Sequence, residues 1–216
     1  MKAVVYHADK SIITQRYTPG IYKDLFNGLK INLNNFNIPL IHLTLNGFEG
    51  WGDENYYFDG NPEEVNYNRE VFIVEFLKNI AKEDEIYWFT EPDARLNNMF
   101  PPLDGDASFT VLLGEKRITP QWRLVKKSAL PLFEEIVSMY GDDKEWWGGD
   151  SEVWGRMWYQ MGQPSDDCVI DYKGLKIQLR KYKHYNMIGS HYSQQFKSNK
   201  KYLIASQEFL NSNERK

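Results

Sequence analysis

Apolar residues in the first hundred positions alternate between short continuous runs and helix-spaced stripes. The runs KAVVYHA, IPLIHLTLNG and EIYWFTEPDARL are rich in β-branched and aromatic residues, which is typical of strands. The apolar residues between them recur at helical spacing: Ile21, Leu25, Leu29, Leu33 and Phe36 in the first interval, and Phe72, Ile73, Phe76, Leu77 and Ile80 in the second. This alternation of strand and helix predicts a parallel sheet covered by helices.

The pattern after residue 100 mixes shorter strands with helices. SFTVLLG and RITPQWRLV predict strands, and Leu130 to Tyr140 carries a helical apolar stripe. In the first half, the polar, aromatic and glycine-rich stretch FEGWGDENYYFDGNP predicts a loop. Since no repeat or linker divides the chain, we expect one α/β domain over residues 1–196, followed by a tail over 197–216.

Composition narrows the class of protein. A chain of 216 residues suits one domain, and its single cysteine, Cys168, excludes an internal disulfide and favours a reducing compartment. No apolar run approaches the ~18 residues of a membrane span. The start MKAVVYHADK predicts a strand and not a signal peptide, so we expect a cytoplasmic protein.

Charge is distributed unevenly along the chain. Residues 171–216 contain ten lysines and arginines against three acidic residues, whereas the rest contains 16 basic and 27 acidic residues. A basic segment on an acidic body either contacts phosphate, on a nucleotide or a polymer, or is a solvated lysine-rich tail.

The third strand is followed by the acidic triplet Glu91-Pro92-Asp93. Residues two apart on an extended chain point the same way, and Pro92 favours that extended backbone. Ligands of open α/β sheets bind beyond the carboxyl ends of the strands, and paired carboxylates suit Mg²⁺ or Mn²⁺. The triplet is therefore either a metal site or a polar turn at the end of the strand.

Four of the seven tryptophans lie in the stretch WWGGDSEVWGRMW, residues 146–158. Asp150 sits at the predicted cap of a helix whose core face carries Val153, Trp154, Met157, Trp158 and Met161. That helix does not account for Trp146, Trp147, Gly148 and Gly149, which precede it. Flexible glycines beside tryptophan faces are typical of close contact with a sugar or base. Asp150 is thus either a helix cap or a proton acceptor for a hydroxyl.

The order of these motifs resembles the GT-A-fold glycosyltransferases, and within them the beta-1,4-galactosyltransferase type. FTEPDARL resembles the metal-binding D-x-D segment of that family, WWGGDSE its W-G-G-acid segment, and NMIGSHYS its distal metal-ligand segment. The resemblance covers residues 86–196 by motif and the earlier part by strand–helix alternation. It implies a Rossmann-like domain whose mainly parallel sheet is flanked by helices.

The resemblance also implies an activity and its residues. Residues 1–95 become the nucleotide-binding half, where Tyr6, His7, Ala8, Asp9, Glu91 and Asp93 bind a nucleotide-sugar donor. Residues 96–196 become the acceptor half, where Trp146, Trp147, Gly148 and Gly149 line the acceptor site. Mn²⁺ or Mg²⁺ is expected on Asp93 and His191, with Glu91 near the metal and His184 as the alternative imidazole. Asp150 or Glu152 is expected to deprotonate the acceptor hydroxyl.

Two departures from the family pattern bear on these roles. The first triplet is Glu-Pro-Asp, whereas the family has D-x-D. In one interpretation Glu91 therefore contacts the ribose or a metal-bound water instead of the metal. After W-G-G the family has three acids, whereas this chain has Asp150, Ser151 and Glu152, and its base position falls nearest Ser151. The expected base is therefore Asp150 or Glu152. The absence of an anchor and of disulfides favours a bacterial enzyme, or a viral one in its host's cytoplasm.

Rival hypotheses concern the reaction and the acceptor. A sugar nucleotidylyltransferase needs a glycine-rich phosphate loop after the first strand, but HADKSIITQRYTPG contains one glycine. A non-catalytic module that stacks aromatic side chains on carbohydrate or nucleic acid is the other alternative. For a transferase, the acceptor is a hydroxymethylated base in phage DNA, which requires base flipping in a duplex, or a cell-envelope glycan.

Overall fold

An eight-stranded mixed sheet forms the centre of the protein, seen in a computed structural model that describes residues 1–7, 21–92, 94–96, 99–100, 102–112, 116–142, 144, 149–165, 167–181 and 187–188. Its strands are β1 (Lys2–Tyr6), β2 (Leu40–Leu45), β3 (Glu54–Phe58), β4 (Tyr87–Thr90), β6 (Ala107–Leu112), β7 (Arg117–Val125), β8 (Cys168–Tyr172) and β9 (Leu175–Lys181). Their spatial order is β3-β2-β1-β4-β7-β6-β9-β8.

The first half of the sheet is wholly parallel. β1 pairs with β2 on one side and with β4 on the other, and β2 pairs with β3. The carboxyl ends of these four strands therefore lie at one edge, which we call the carboxyl edge. The opposite edge, where they begin, is the amino edge. The predicted parallel arrangement of the first three runs is confirmed.

The second half of the sheet is mixed. β7 lies antiparallel between β4 and β6, β9 runs parallel to β6, and β8 closes the sheet antiparallel to β9. Four of the seven pairings described within this sheet are parallel. A separate two-stranded sheet pairs β5 (Arg95–Leu96) with β10 (Met187–Ile188) antiparallel.

Helices cover both faces of the sheet, as the α/β prediction requires. α1 (Ile21–Asn34) packs on one face through Phe26, Leu29 and Leu33. α2 (Val65–Asn79), α3 (Leu130–Ser138) and α4 (Gly149–Gln160) cover the other face. β1 serves both layers because successive strand side chains point to opposite faces: Val4 and Tyr6 to one, Ala3 and Val5 to the other.

Most predicted helices and strands form close to their predicted positions, with two corrections. The stretch FEGWGDENYYFDGNP, predicted as a loop, contains β3. Among the described strands β3 pairs only with β2 and so lies at the edge of the sheet. Its outer residues stay partly exposed, while Tyr56 and Phe58 pack on the core. α4 begins at Gly149, one residue before the predicted cap, so Asp150 lies in its first turn.

The core face of α4 forms as predicted. Val153, Trp154, Met157 and Trp158 are buried against the sheet, and Met161 packs beside them. None of the described helices has the length and apolarity to cross a membrane.

Candidate functional site

The carboxyl edge brings the ends of β1 and β4 side by side. Val5 of β1 is in register with Thr90 of β4, so Tyr6 and His7 emerge next to Glu91. Arg69 reaches the same place from α2. A shallow pocket at this point is lined by Val4, Tyr6, Arg69, Ile73, Phe89, Thr90, Glu91 and Arg123.

Two residues that line this pocket, Tyr6 and Thr90, carry buried hydroxyl groups. The Thr90 side chain is buried, and its Oγ1 has no hydrogen-bond partner among the described residues. Burial raises the pKa of Tyr6 to about 12, against the opposing effects of Asn68 and Arg69, so its hydroxyl keeps its proton at neutral pH. Because both hydroxyls are buried, the surface that the pocket exposes is mainly apolar, and Glu91 is its partly exposed carboxylate.

Among the described residues that line the pocket, Glu91 carries the carboxylate. Its side chain is about one-third exposed, and Arg69 Nη1 lies 3.9 Å from its Oε1. That separation is an ion pair but is longer than a hydrogen bond, which spans roughly 2.7–3.2 Å. Arg69 itself is largely buried, and its Nε lies 3.1 Å from Glu70 Oε1.

Behind the pocket, Glu70 and Arg123 form a fully buried ion pair. Arg123 Nη1 donates to Glu70 Oε2 at 2.6 Å, and Nη2 donates to Oε1 at 3.1 Å. Burial alone raises the pKa of the Glu70 carboxyl, but the charges of Arg123 and Arg69 outweigh that effect and hold the pKa below its ordinary value. Glu70 is therefore ionised inside the core.

The fold explains why Arg123 is buried. β7 lies between β4 and β6, and Arg123 is in register with Phe89 on one side and Phe109 on the other. Its guanidinium carbon lies 5.6 Å from the centroid of Phe133 and 5.1 Å from that of Trp154. Trp154 Nε1 also lies 3.5 Å from Glu70 Oε1. α4 thus contacts the charge network that lines the pocket.

On the other side of β1, five rings form an aromatic cluster: His7, Tyr22, Phe26, His42 and Trp51. The His7 and Tyr22 centroids lie 3.8 Å apart, and His42 stacks on Trp51 at 5.6 Å with planes 17° apart. Phe26 packs against both His42 and Trp51, with ring centroids 4.4 Å and 5.2 Å away. Since Tyr22, Phe26 and His42 are buried, the cluster is part of the core at the end of β1.

His42 ties this cluster to the backbone. The Trp51 amide donates to His42 Nδ1 at 3.0 Å, so the ring carries its proton on Nε2, which donates to the His7 carbonyl at 2.9 Å. Burial lowers the pKa of His42 to about 4, although the bond to His7 opposes the shift. His42 is therefore neutral at pH 7 and links β2, the end of β1 and the loop around Trp51.

Gly52 allows that loop to lie against β2. A Cβ at Gly52 would come within 2.7 Å of the His42 amide nitrogen and 2.8 Å of the Leu40 carbonyl oxygen. Both contacts are with backbone atoms that cannot move aside, so only glycine fits at this place.

The structure brings together some of the residues that the sequence predicted for the site. Tyr6, His7 and Glu91 meet at the carboxyl edge, and Gly149 is the first residue of α4. Glu152 lies on the exposed side of α4, with Oε1 3.6 Å from Arg156 Nη2. The described residues do not include Ala8, Asp9, Asp93, Trp146, Trp147, Gly148, His184, His191 or the side chain of Asp150.

A divalent metal is consistent with the donor chemistry of this edge. The described part of the chain contains no group of three or more potential metal ligands. It does place the partly exposed Glu91 carboxylate directly after the end of β4. Oxygen donors of this kind are those that Mg²⁺ and Mn²⁺ prefer.

Several residues of this edge were not predicted from the sequence. Arg69, Glu70, Arg123, His42 and Trp51 carry no recognisable motif, yet a signal for the buried pair existed. Glu70 lies on one helical stripe with Ile73 and Leu77, and Arg123 alternates with Val125 on one face of its strand. A charge on each of two core-facing positions is a sequence signature of a buried ion pair.

No protein-family model and no curated protein sequence matches the chain. Among solved structures, it is similar to a nucleoside-diphosphate-sugar pyrophosphorylase from Vibrio cholerae RC9, with a TM-score of 0.50 and 12% identity over 88% of this chain and 95% of that one. It also matches a glycosyltransferase involved in glycosylation of the major capsid of PBCV-1, at a TM-score of 0.47 and 11% identity over 83% and 81% of the two chains.

A third similar structure is the glycosyltransferase GlyE of Streptococcus pneumoniae TIGR4, with a TM-score of 0.47 and 10% identity over 72% of this chain and 43% of that one. At sequence identities of 10–12%, these similarities are evidence of a shared fold alone. The similarity to the Vibrio cholerae protein agrees with the α/β architecture described above, a central sheet flanked by helices.

Proposed function

We propose that the protein is a metal-dependent glycosyltransferase that moves a sugar from a nucleotide-sugar donor to an acceptor hydroxyl. One observation carries the proposal: the triplet Glu91-Pro92-Asp93 directly follows β4 at the carboxyl edge, beside the end of β1. Open α/β sheets bind nucleotides at this edge.

In this proposal the metal, Mn²⁺ or Mg²⁺, binds Asp93 and His191, with Glu91 beside it. β5 begins two residues after Asp93, and β10 ends three residues before His191. The pairing of β5 with β10 supports a shared ion for Asp93 and His191, because a chain spans at most ~3.6 Å per residue. When bound, the ion neutralises the leaving diphosphate.

The remaining roles follow the same proposal. Tyr6, His7, Ala8 and Asp9 bind the nucleoside, next to the aromatic cluster. Trp146, Trp147, Gly148 and Gly149 line the acceptor site. Asp150 takes the proton of the acceptor hydroxyl in an inverting reaction, in preference to Glu152, because Glu152 pairs with Arg156 on the exposed side of α4.

The proposed acceptors are a hydroxymethylated base in phage DNA and a cell-envelope glycan. The basic segment 171–216 favours the first, since phosphate contacts require clustered lysine and arginine. Transfer to a DNA acceptor that falls steeply with salt, with no transfer to glycan acceptors, would select DNA.

A thermal-shift panel of nucleoside diphosphates, each with and without Mn²⁺, tests the function. A ligand that binds only the folded protein stabilises it by about 2.7 kcal/mol at a hundredfold excess over Kd. We expect one diphosphate to raise the melting temperature only with Mn²⁺, and the matching nucleotide sugar to be consumed. Release of pyrophosphate from a nucleoside triphosphate and a sugar 1-phosphate would instead identify a nucleotidylyltransferase. Binding of sugar or nucleic acid without metal or turnover would identify a binding module.

The metal ligand on the distal segment is tested by two histidine variants. His191→Ala should weaken Mn²⁺-dependent nucleotide binding, whereas His184→Ala should leave it unchanged. The reverse result would assign the imidazole ligand to His184.

A further inference from the structure

Strands β6 and β9 carry apolar side chains on one face of the sheet and polar side chains on the other. The apolar side chains pack on the layer of α2, α3 and α4, and they belong to Ala107, Phe109, Val111, Ile177 and Leu179. Because successive strand side chains point to opposite faces, the residues between these face the other way. They form what we call the polar face: Ser108, Thr110, Gln178 and Arg180.

The apolar cluster on the α1 side of the sheet does not extend to the polar face. Among the described residues, that cluster includes Leu124 of β7 and no residue of β6 or β9. Thr110 is nevertheless fully buried. Three buried atoms of the polar face have no hydrogen-bond partner among the described residues: Thr110 Oγ1, Gln178 Oε1 and Arg180 Nε. Unmet polar atoms inside a protein cost free energy, and a bound ligand is one group that satisfies them.

The three side chains with unmet atoms are neighbours in the sheet. In the parallel pairing of β6 with β9, Thr110 is in register with Arg180, and Gln178 lies two residues before Arg180 on the same face. Neighbouring strands are roughly 4.8 Å apart, so these side chains lie together. They offer a donor in Arg180 Nε, an acceptor in Gln178 Oε1, and a hydroxyl that both donates and accepts in Thr110.

Arg180 supplies a positive charge to this group. Its Nη2 donates to the Pro102 carbonyl at 3.1 Å, and no carboxylate among the described residues pairs with it. Asp104, two residues beyond Pro102, pairs instead with Lys176 at 2.8 Å. The bond to Pro102 orients the guanidinium while the Arg180 side chain stays partly exposed. An oriented guanidinium of this kind suits an oxyanion, a phosphate or a carboxylate.

The polar face lies toward the carboxyl edge. β7 is antiparallel to both β4 and β6, and β9 is parallel to β6, so β6 and β9 end at the same edge as β4. Thr110 is two residues before the end of β6, and Arg180 is one residue before the end of β9. Open α/β sheets bind their ligands at this edge. The polar face lies on the side of β7 away from β4, so it is separate from the pocket beside Glu91.

We propose that Arg180, Thr110 and Gln178 bind an acidic sugar, one that carries a phosphate or a carboxylate beside a hydroxyl. Arg180 Nε and the Thr110 hydroxyl donate to the oxyanion, and Gln178 Oε1 accepts from the neighbouring hydroxyl. Arg180 and Gln178 are partly exposed, so the ligand reaches the polar face from solvent past their side chains. A neutral sugar leaves the cation unpaired, and a bare anion leaves Gln178 without a donor.

In the proposed transferase, this acidic sugar is part of the acceptor. Both strands belong to the second half of the chain, to which the acceptor site is assigned. The role as acceptor rests on the proposed function, whereas the binding site itself does not.

Thr110→Val tests the hydroxyl, because valine has the shape of threonine and lacks only that group. Removal of a buried hydroxyl that no group satisfies does not destabilise the free protein, so Thr110→Val should melt at or above the parental temperature. Thr44→Val is the matched control. Thr44 on β2 is also fully buried, and its Oγ1 likewise has no partner among the described residues.

Arg180→Met tests the cation, because it removes the charge and keeps most of the apolar stem. If this variant does not fold, Arg180→Lys carries the test, since lysine keeps the charge and lacks the Nε donor. Arg156→Met is the matched control. Arg156 on α4 also donates from Nη2 to a backbone carbonyl, that of Met139, at 2.7 Å.

Calorimetry on the full chain, without Mn²⁺ or nucleotide, measures the affinities for glucose 6-phosphate, glucuronate, glucose and inorganic phosphate. We expect one of the two acidic sugars to bind more tightly than both glucose and phosphate, and this preference identifies the oxyanion. Arg180→Met should weaken that binding by about 10- to 100-fold, and Thr110→Val by about 3- to 10-fold. The two control variants should bind as the parent does.

Three results would overturn the proposal. The first is that neither acidic sugar binds more tightly than glucose. The second is that inorganic phosphate binds as tightly as the acidic sugars, which would leave a site for an ion only. The third is parental affinity in folded Thr110→Val or in folded Arg180→Met, with Arg180→Lys in its place if the methionine variant does not fold.

Failure of the proposed function gives a different result. If the protein binds an acidic sugar but no nucleotide in the thermal-shift panel, the site on the polar face stands and its role as acceptor site is wrong. If it binds a nucleotide with Mn²⁺ but neither acidic sugar, the site is overturned and the proposed transferase is unaffected.

Discussion

The two edges of the parallel half of the sheet are built on different principles. At the amino edge, Lys2 Nζ lies 2.6 Å from Glu54 Oε1, and Tyr56 donates to Glu54 Oε2 at 3.0 Å. At the carboxyl edge, Arg69 stays 3.9 Å from Glu91. The Thr90 hydroxyl there is buried with no partner among the described residues.

The two edges differ in whether their polar side chains pair with one another. Groups that only close a sheet edge are satisfied by one another, since an unmet polar group costs free energy. The carboxyl edge differs, because Arg69 pairs with the buried Glu70, His42 holds the aromatic cluster, and the Thr90 hydroxyl has no partner among the described residues. Each prediction below tests one side of this contrast.

The largest effect is expected from Asp93→Asn. An amide is a far weaker metal ligand than a carboxylate, so Mn²⁺-dependent nucleotide binding should be lost while the melting temperature of the unliganded protein stays parental. Calorimetry with Mn²⁺ and the nucleoside diphosphate measures this. Asp104→Asn, at an exposed carboxylate paired with Lys176, is the control and should bind as the parent does. Parental binding by Asp93→Asn would remove the metal from the carboxyl edge.

Asp150→Asn should slow sugar transfer and leave donor binding intact. Asparagine serves a helix start about as well as aspartate, so the melting temperature should change little. It does not accept a proton, and loss of a general base typically costs about 10²- to 10⁴-fold in rate. Steady-state kinetics on donor and acceptor separates the two effects.

Two further variants sharpen this result. Glu152→Gln should keep parental turnover, because Glu152 pairs with Arg156 on the exposed side of α4. Trp147→Ala should mainly raise KM for the acceptor, since it removes a stacking surface and no proton acceptor. If Asp150→Asn turns over normally and Glu152→Gln does not, the base is Glu152.

The fold was largely predictable because its core elements have strong periodicity. Leu25, Leu29 and Leu33 of α1 are buried as their spacing requires, and so are the apolar runs of β1, β2 and β4. β3 was not predictable by the same rule, because an edge strand that is half exposed shows weak alternation. Its residues Glu54 to Phe58 resemble a polar aromatic loop in sequence.

The candidate site was less predictable than the fold. Strand-end acids such as Glu91 follow directly from strand boundaries, and so do Tyr6 and His7. The residues that hold them in place do not, since their partners are remote in sequence: Arg123 is 53 positions from Glu70, and His7 is 35 from His42. A motif describes residues that meet a ligand, whereas positioning residues are defined by contacts that only the fold creates.

The pH dependence of the free energy of unfolding should show whether solvent reaches His42 in the aromatic cluster. His42 has a pKa of about 4 in the folded protein and an ordinary value of 6.5 when unfolded. Between these values the unfolded chain binds the extra proton, so the folded state loses stability as pH falls from 6.5 towards 4. The loss attributable to His42 is about 3 kcal/mol at pH 4. Urea unfolding at several pH values measures it.

The matched comparison is with His42→Gln, whose side chain does not titrate. Its free energy of unfolding should fall less steeply than that of the parent over the same pH range, and the difference between the two curves isolates His42. Parallel curves would mean that His42 is accessible to solvent and that the cluster is not sealed.

The smallest effect is expected from Glu54→Gln at the amino edge. Lys2 and Glu54 are both partly exposed, so their pair should stabilise the fold by at most about 1 kcal/mol at pH 7. The hydrogen bond from Lys2 lowers the pKa of Glu54 from 4.5, so this stability is present above pH 4.5 and is lost as pH falls through the lower folded value. The same bond raises the pKa of Lys2 from 10.5, so stability is also lost as pH rises through the higher folded value. In Glu54→Gln both of these losses should disappear, while Mn²⁺-dependent nucleotide affinity stays parental. A change in that affinity would show that the amino edge also contributes to ligand binding, and the division of the sheet into a structural and a functional edge would be wrong.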